Sequence, residues 1–233
     1  MIDQKRVLGV IPARGGSKGI PRKNLRVVLG KSLIAWTIDE AKKSRYIDRL
    51  ILSSEDAEII RIARESGCDV PFVRPPELAD DDTPGIEPVL HALEQLPEYD
   101  YVVLLQPTSP LRTSEDIDGC LELCEQQGAP ACVSVRRSRE NPYWTFRIGP
   151  DGCMSPVVSN GNHSGRRQDY PIFFVLNGAV YVCRPDWLKR TRAFVAADTI
   201  AYVMPEERSL DIDEEKDFRC FVSLIQGKLD AAH

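Results

Sequence analysis

The stretch from Val7 to Arg26, VLGVIPARGGSKGIPRKNLR, constrains this chain more than any other. Its apolar run, VLGVI, breaks at Pro12 and continues as a glycine-rich loop. So short and apolar a run suits a strand buried on both faces. Such a strand delivers its loop at the carboxyl end of a sheet, where backbone N–H groups and cationic side chains converge on an anionic ligand. Six basic residues, Arg14, Lys18, Arg22, Lys23, Arg26 and Lys31, occur with no acidic residue before Asp39. Their charges repel one another unless an anion sits among them, so the loop reads as a phosphate cradle; the blander reading is an exposed turn with incidental charge. Gly15, Gly16 and Gly19 would let the backbone approach a triphosphate, and Arg14, Lys18 and Lys23 would offset the charge that grows as a phosphorus is attacked. The spacing is neither G-x-x-x-x-G-K-[ST] nor G-x-G-x-x-G, which sets aside a P-loop NTPase and a dinucleotide-dependent dehydrogenase.

Elsewhere short β-like runs alternate with helical periods, the pattern of a Rossmann-like, mostly parallel sheet flanked by helices. Strands are predicted at 7–11, 49–54, 101–105 and 131–135, then in FFVLNGAVYV and TIAYVM. CDVPFV (68–73) reads as a short edge strand because Pro71 removes a ladder donor. Thr113 and Asp116 have capping-box spacing ahead of a helix, and Phe218, Phe221, Val222 and Ile225 form the apolar face of the last one. Between Arg136 and Gln168 the rhythm changes: WTFRI, GPDG and CMSPVV read as a hairpin, followed by a polar loop. The expected organisation is an α/β domain from 1–135 and 169–233, with 136–168 inserted as an arm.

Composition narrows the function classes. With 42% hydrophobic and 28% charged residues the chain is neither disordered nor membrane-spanning, since no apolar run approaches the roughly 20 residues a membrane helix needs. The net charge of −5 argues against nucleic acid as a partner. Seven scattered cysteines without a C-x-x-C pair indicate neither a disulfide framework nor a zinc knuckle, and Cys120 and Cys124 have the spacing of neighbours on one buried helix face. A cytoplasmic location is expected, because the apolar run in MIDQKRVLGV is too short for a signal peptide.

Two further motifs carry chemistry. QPTSPLR, from Gln106 to Arg112, ends the clearest buried strand at the sheet edge where ligands of open α/β folds bind. Gln106 offers donors and an acceptor to a hydroxyl-rich substrate, although a rigid turn feeding the next helix accounts for the same residues. In LDIDEEKDF, Asp211 and Asp213 alternate, so an extended segment points both carboxylates one way, toward one hard cation. Asp213 also occupies a helix N-cap position, and both roles can coexist. No H-E-x-x-H occurs.

Taken together, IPARGGSKGIPRKN, RPPELADD, LLQPTSPLR, RRQDYP, NGAVY and LDIDEEKDF, in this order over about residues 7 to 221, resemble the acylneuraminate cytidylyltransferases. The resemblance implies transfer of CMP from CTP to the anomeric hydroxyl of a nonulosonic, sialic-acid-like sugar, releasing pyrophosphate, with Mg²⁺ as cofactor. It implies that Ala13, Arg14, Ser17, Lys18, Lys23, Asn24 and Arg74 hold the nucleotide and that Gln106, Asn177 and Tyr181 contact the sugar. Asp211 and Asp213 would hold the metal. A homodimer is implied as well, its arm reaching the neighbour so that Arg167 serves the partner's site. Two departures stand out. Gly85 lies where family members often carry a hydroxyl, and Trp144 stands where some have a lysine for the sugar, which makes a less polar nonulosonate such as legionaminate plausible. A Kdo cytidylyltransferase and a catalytically silent sugar-nucleotide binding protein stay as alternatives. RRQDYP and NGAVY favour the nine-carbon sugar, and the loop lysines and aspartate pair argue for catalysis.

Overall fold

Apolar runs bounded by turn residues become strands, and the amphipathic stretches between them become helices. A computed structural model describes residues 1–16, 19–159 and 165–230, with only the backbone of Arg167, Lys228 and Leu229. In chain order it contains strand β1 (Val7–Pro12), a small hairpin of β2 (Val27–Val28) and β3 (Lys31–Ser32), helix α1 (Leu33–Ala41) and strand β4 (Arg49–Ser53). Helices α2 (Ala57–Glu65) and α3 (Glu87–Gln95), strand β5 (Tyr101–Leu104), helix α4 (Ser114–Gln126) and strand β6 (Ala131–Arg137) follow. The chain ends with β7 (Phe146–Ile148), β8 (Met154–Pro156), β9 (Phe174–Cys183), α5 (Pro185–Thr191), β10 (Thr199–Val203) and α6 (Glu215–Asp230).

Six strands form one sheet of order β10-β6-β9-β5-β1-β4. Strand β1 runs parallel to β4 and β5, and β10 parallel to β6. The exception is β9, antiparallel to both neighbours, so the sheet is mostly parallel as expected. Alternate residues of β1 enter two cores, Val7 and Ile11 on one face, Leu8 and Val10 on the other. Full burial of each such side chain contributes about 1.5–3 kcal/mol, which anchors the strand and hence the start of the basic loop.

A third cluster decides where the chain's two ends meet. Phe218, Phe221 and Ile225 of α6 pack with Ile20, Val28 and Leu33, and the Phe221 ring lies edge-on to Trp36 at 5.6 Å. The apolar face of α6 thereby brings the acidic segment preceding it onto the basic loop.

Three details differ from expectation or refine it. CDVPFV forms a single bridge, Asp69 to Ile51, in place of a strand, because Pro71 ends the pairing just beyond it. Gly178 has φ +71°, where the β6–β9 register shifts between Val133 and Val135; this bulge re-aims the side chains around it. The expected hairpin forms, Phe146 pairing with Pro156 and Ile148 with Met154, on an excursion that leaves the sheet after Arg137 and returns at Phe174. Among the described residues, no helix is long and apolar enough to cross a membrane.

Candidate active site

A cleft of about 470 Å³ opens beyond the carboxyl ends of β1 and β5, lined by Pro12 from the first strand, Leu104 from the second and Gln106 from the loop that follows it. From β1 the chain crosses to β4 on one side and then to β5 on the other, so the cleft lies at the topological switch point, where ligands of open α/β sheets bind. Arg14, Gly19, Lys23 and Asn24 contribute one wall, Asp80, Asp81, Thr83 and Gly85 another, and Asp213 reaches in from the distant acidic segment.

The meeting of those two segments is direct. Lys23 Nζ donates to the Ile212 carbonyl at 2.6 Å and lies 3.5 Å from Asp213 Oδ1. Gly19 permits this approach: a Cβ there would lie 2.2 Å from the Asp213 carbonyl oxygen. Arg26 adds a two-point ion pair with Glu215 at 3.1 Å for each contact, its guanidinium 4.2 Å from the centre of the Phe218 ring. Asp213 is not the helix cap. Helix α6 begins at Glu215, one residue too late for Asp213 to cap it; Asp217, third in the helix, turns back to accept from the Asp213 and Glu214 amides at 3.1 and 2.8 Å, and the Asp213 carboxylate is 76% exposed beside the cleft.

Not every cation of the loop waits for a ligand. Arg22 pairs with Asp56 and Glu58, and Lys31 with Asp39. Arg14 contacts Asp81 at 2.8 Å and donates to the Asp80 carbonyl at 3.1 Å, while Asn24 Nδ2 holds the Arg14 carbonyl at 3.1 Å. Protein carboxylates therefore relieve much of the repulsion that made the loop read as a phosphate cradle. Arg74, 3% exposed, donates to Glu55 at 2.6 Å and to the Ala13 carbonyl at 3.3 Å. Glu55 also accepts the Gly15 amide at 2.7 Å. Sequence reasoning overlooked Glu55, whose signal was its place directly after the second parallel strand.

The loop after β5 is held from beneath. Arg112, 1% exposed, donates to the Gln106 and Ala179 carbonyls and, at 2.8 Å, to Thr37 Oγ1, which leaves the Gln106 side chain to line the cleft. Asn177 does not join it there. Its amide is buried, donating to Ser209 Oγ at 3.0 Å and accepting from Ser134 Oγ at 2.6 Å, while its carbonyl receives Ser109 Oγ at 3.2 Å. The expected sugar contact is thus an internal brace here. A Cβ on Gly178 would sit 3.1 Å from Asp211 Oδ2 and 3.2 Å from both Gln106 Oε1 and Ser109 Oγ, so the glycine lets three polar groups converge.

Asp211 is half-buried, and its Oδ1 is buried without a hydrogen-bond partner. Burial, with the nearby Asp213 and Asp217 charges, opposes its ionised form, and a Thr108 hydrogen bond and Lys23 favour it; the balance raises its pKa. Tyr181 packs its ring 5.3 Å from Phe194, and burial followed by the Asp211 charge raises its hydroxyl pKa. Gly85 faces open space in the cleft wall. Trp144 belongs to the arm, edge-on to Tyr170 at 5.7 Å, and is absent from the cleft lining. Ser17, Lys18 and the side chain of Arg167 lie outside the described residues.

A switch-point cleft furnished with cations on one side and carboxylates on the other defines a nucleotide-handling α/β protein. The chain belongs to the cytidylyltransferase family, whose model matches residues 8–181. It is 32% identical over 231 residues to an N-acylneuraminate cytidylyltransferase of Escherichia coli O18:K1:H7, covering 96% of this chain and 53% of that protein, so it spans about half that relative's length. It is 31% identical over 226 residues to a CMP-N,N'-diacetyllegionaminic acid synthase of Legionella pneumophila, covering 95% of this chain and 97% of that one. Its fold matches a CMP:2-keto-3-deoxy-manno-octonic acid synthetase complexed with CTP at a TM-score of 0.72 and 15% identity, covering 96% and 99% of the two chains.

Proposed function

We propose that the protein transfers CMP from CTP to the anomeric hydroxyl of a nonulosonic sugar. The bond from the sugar oxygen to the α-phosphorus forms as the bond to the bridging oxygen breaks, and pyrophosphate leaves. The observation that carries this reading is the contact of Lys23 with Ile212 and Asp213 at the rim of the cleft, which joins the cationic loop to the aspartate segment. The names of the relatives above support the nonulosonic substrate class; the likeness to the octonic acid enzyme supports the fold alone.

In this reading Lys23 and Arg14 balance charge on the phosphates and Asn24 supports Arg14 from its backbone. Phosphate competes with Asp81 for the Arg14 guanidinium, a bidentate partner for either anion. Arg74 shapes the nucleotide wall through Glu55, and Gln106 meets sugar hydroxyls. Asp211 and Asp213 fit a Mg²⁺ ion: the buried Asp211 Oδ1 lacks any partner, both groups are hard oxygen donors, and Mg²⁺ takes one or two carboxylates beside substrate phosphates. When bound, the ion would polarise phosphate oxygens and favour loss of the hydroxyl proton. Among the described residues no group of three or more candidate metal-ligating side chains occurs.

We also propose a cytoplasmic homodimer. Seven unpaired cysteines suit a reducing compartment. The arm exposes Ile148 (75%) and Met154 (63%), and β9 with its approach exposes Ile172, Phe174 and Leu176 at alternate positions, an apolar surface of the kind a partner copy covers. Ile148→Asp should shift sedimentation toward monomer, and an unchanged dimer would remove the arm from the interface.

Pyrophosphate release with CTP and Mg²⁺ tests the central reading across N-acetylneuraminate, legionaminate, pseudaminate, Kdn and Kdo. Lys23→Ala and Asp213→Asn should each lose most turnover while staying folded. Wild-type release by either variant removes that residue from the site, and CTP binding without product from any sugar favours a silent binding protein.

A further inference from the structure

We infer that Arg208 is a positioning residue for the metal ligands Asp211 and Asp213, acting through an ion pair with the buried Asp116; the inference rests on the metal-dependent reading above. Arg208 ends the short turn Glu206–Arg208, three residues before Asp211. Its Nε and Nη2 donate to the two carboxylate oxygens of Asp116 at 2.8 and 2.7 Å, a fork that a lysine ammonium does not reproduce. The Asp116 side chain is wholly buried, whereas that of Arg208 is 31% exposed.

Asp116 has a second duty. It accepts the Thr113 amide at 3.0 Å and completes the capping box that starts α4. A capping carboxylate is served well enough at an exposed helix end; complete burial demands a fixed cation, because a buried unpaired carboxylate is costly. One carboxylate therefore joins the start of α4, immediately after the Gln106 loop, to the segment that carries the aspartates.

The other anchors hold the segment elsewhere. Ile212 N donates to the Thr108 carbonyl at 2.8 Å, the Ile212 carbonyl accepts from Lys23 Nζ at 2.6 Å, and Ser209 Oγ accepts from Asn177 at 3.0 Å. These bonds tie it to the loop after β5, the basic loop and β9, whereas the Arg208 fork sets its approach to α4, so without the fork the segment can shift against α4. Most of the nucleotide wall, by contrast, stands on β1, its loop and the residues around Arg74. Loss of the fork should weaken the metal-assisted part of nucleotide binding and spare the rest.

Calorimetry of CTP binding, once with excess Mn²⁺ and once in EDTA, separates these parts without turnover. Arg208→Lys keeps the charge and loses the fork. We expect its affinity for CTP with Mn²⁺ to fall about tenfold, the lower end of what loss of an outer-shell partner does to a metal site, with metal-free CTP affinity unchanged. The double variant Asp116→Asn/Arg208→Gln leaves no buried charge and should show the same selective loss even if Arg208→Lys folds poorly. Asp213→Asn serves as the control: if it too binds CTP with Mn²⁺ like wild type, the metal reading itself fails. If Asp213→Asn weakens binding while both Arg208 variants match wild type, this inference alone is overturned. Equal loss with and without Mn²⁺ in the Arg208 variants also overturns it, since that marks general loosening.

Discussion

Replacing Asp211 by Asn should stabilise the ligand-free protein and abolish its response to Mg·CTP. The carboxylate is half-buried, one oxygen lacks any partner, and the charges of Asp213 and Asp217 add to the cost of its ionised form. A buried, unsatisfied acceptor costs about 1–3 kcal/mol, more when charged, against which the Thr108 hydrogen bond and Lys23 give partial relief. The isosteric amide removes the charge and should recover about 1 kcal/mol, a rise in melting temperature of about 2–4 °C for a chain of this size. Ligand should invert the order. At about a hundredfold excess over its dissociation constant, Mg·CTP stabilises the protein that binds it by about 2.7 kcal/mol, which exceeds the gain from the amide. Differential scanning calorimetry with and without Mg·CTP measures both halves. A variant that melts below wild type in the absence of ligand, or one that gains as much from Mg·CTP as wild type does, refutes the reasoning.

Gly19→Ala places a methyl 2.2 Å from the Asp213 carbonyl oxygen; the segment must yield, with a destabilisation of about 1–3 kcal/mol and a higher Mg²⁺ requirement for pyrophosphate release. An unchanged Mg²⁺ titration would show that the close approach is not needed. Far from the cleft, Glu125 accepts from Lys5 and from the Tyr101 hydroxyl, and these bonds hold its pKa below the ordinary value of 4.5. Its contribution is therefore present above that value and lost as pH falls through the depressed one. Glu125→Gln should flatten this part of the acid limb of the stability curve, and identical acid limbs would contradict the assignment.

Much of this protein was legible without coordinates wherever the determinants lie within a few residues of each other. The apolar run at 7–11, the capping box of Thr113 and Asp116 and the apolar face of α6 each state their structure through local spacing and burial. The cationic loop and the aspartate pair were legible as chemistry for the same reason, since charge type and spacing are properties of a short peptide.

Which of those charges remain for a ligand was decided only by tertiary structure. Arg26 is paired by Glu215, 189 residues away, and Arg22 by acids after β4, whereas Lys23 reaches the cleft rim. No local pattern encodes such pairings, because each depends on where α6 packs against the basic loop and α1 and where β4 pairs with β1. The same holds for Asn177, buried as a brace beside the Gly178 bulge, and for Asp213, whose amide is held by Asp217 while its carboxylate stays exposed. Sequence determined which groups the chain carries and where its strands and helices form. Packing between distant elements, in which a buried polar group must find a partner or stay unsatisfied, determined which of them face the cleft.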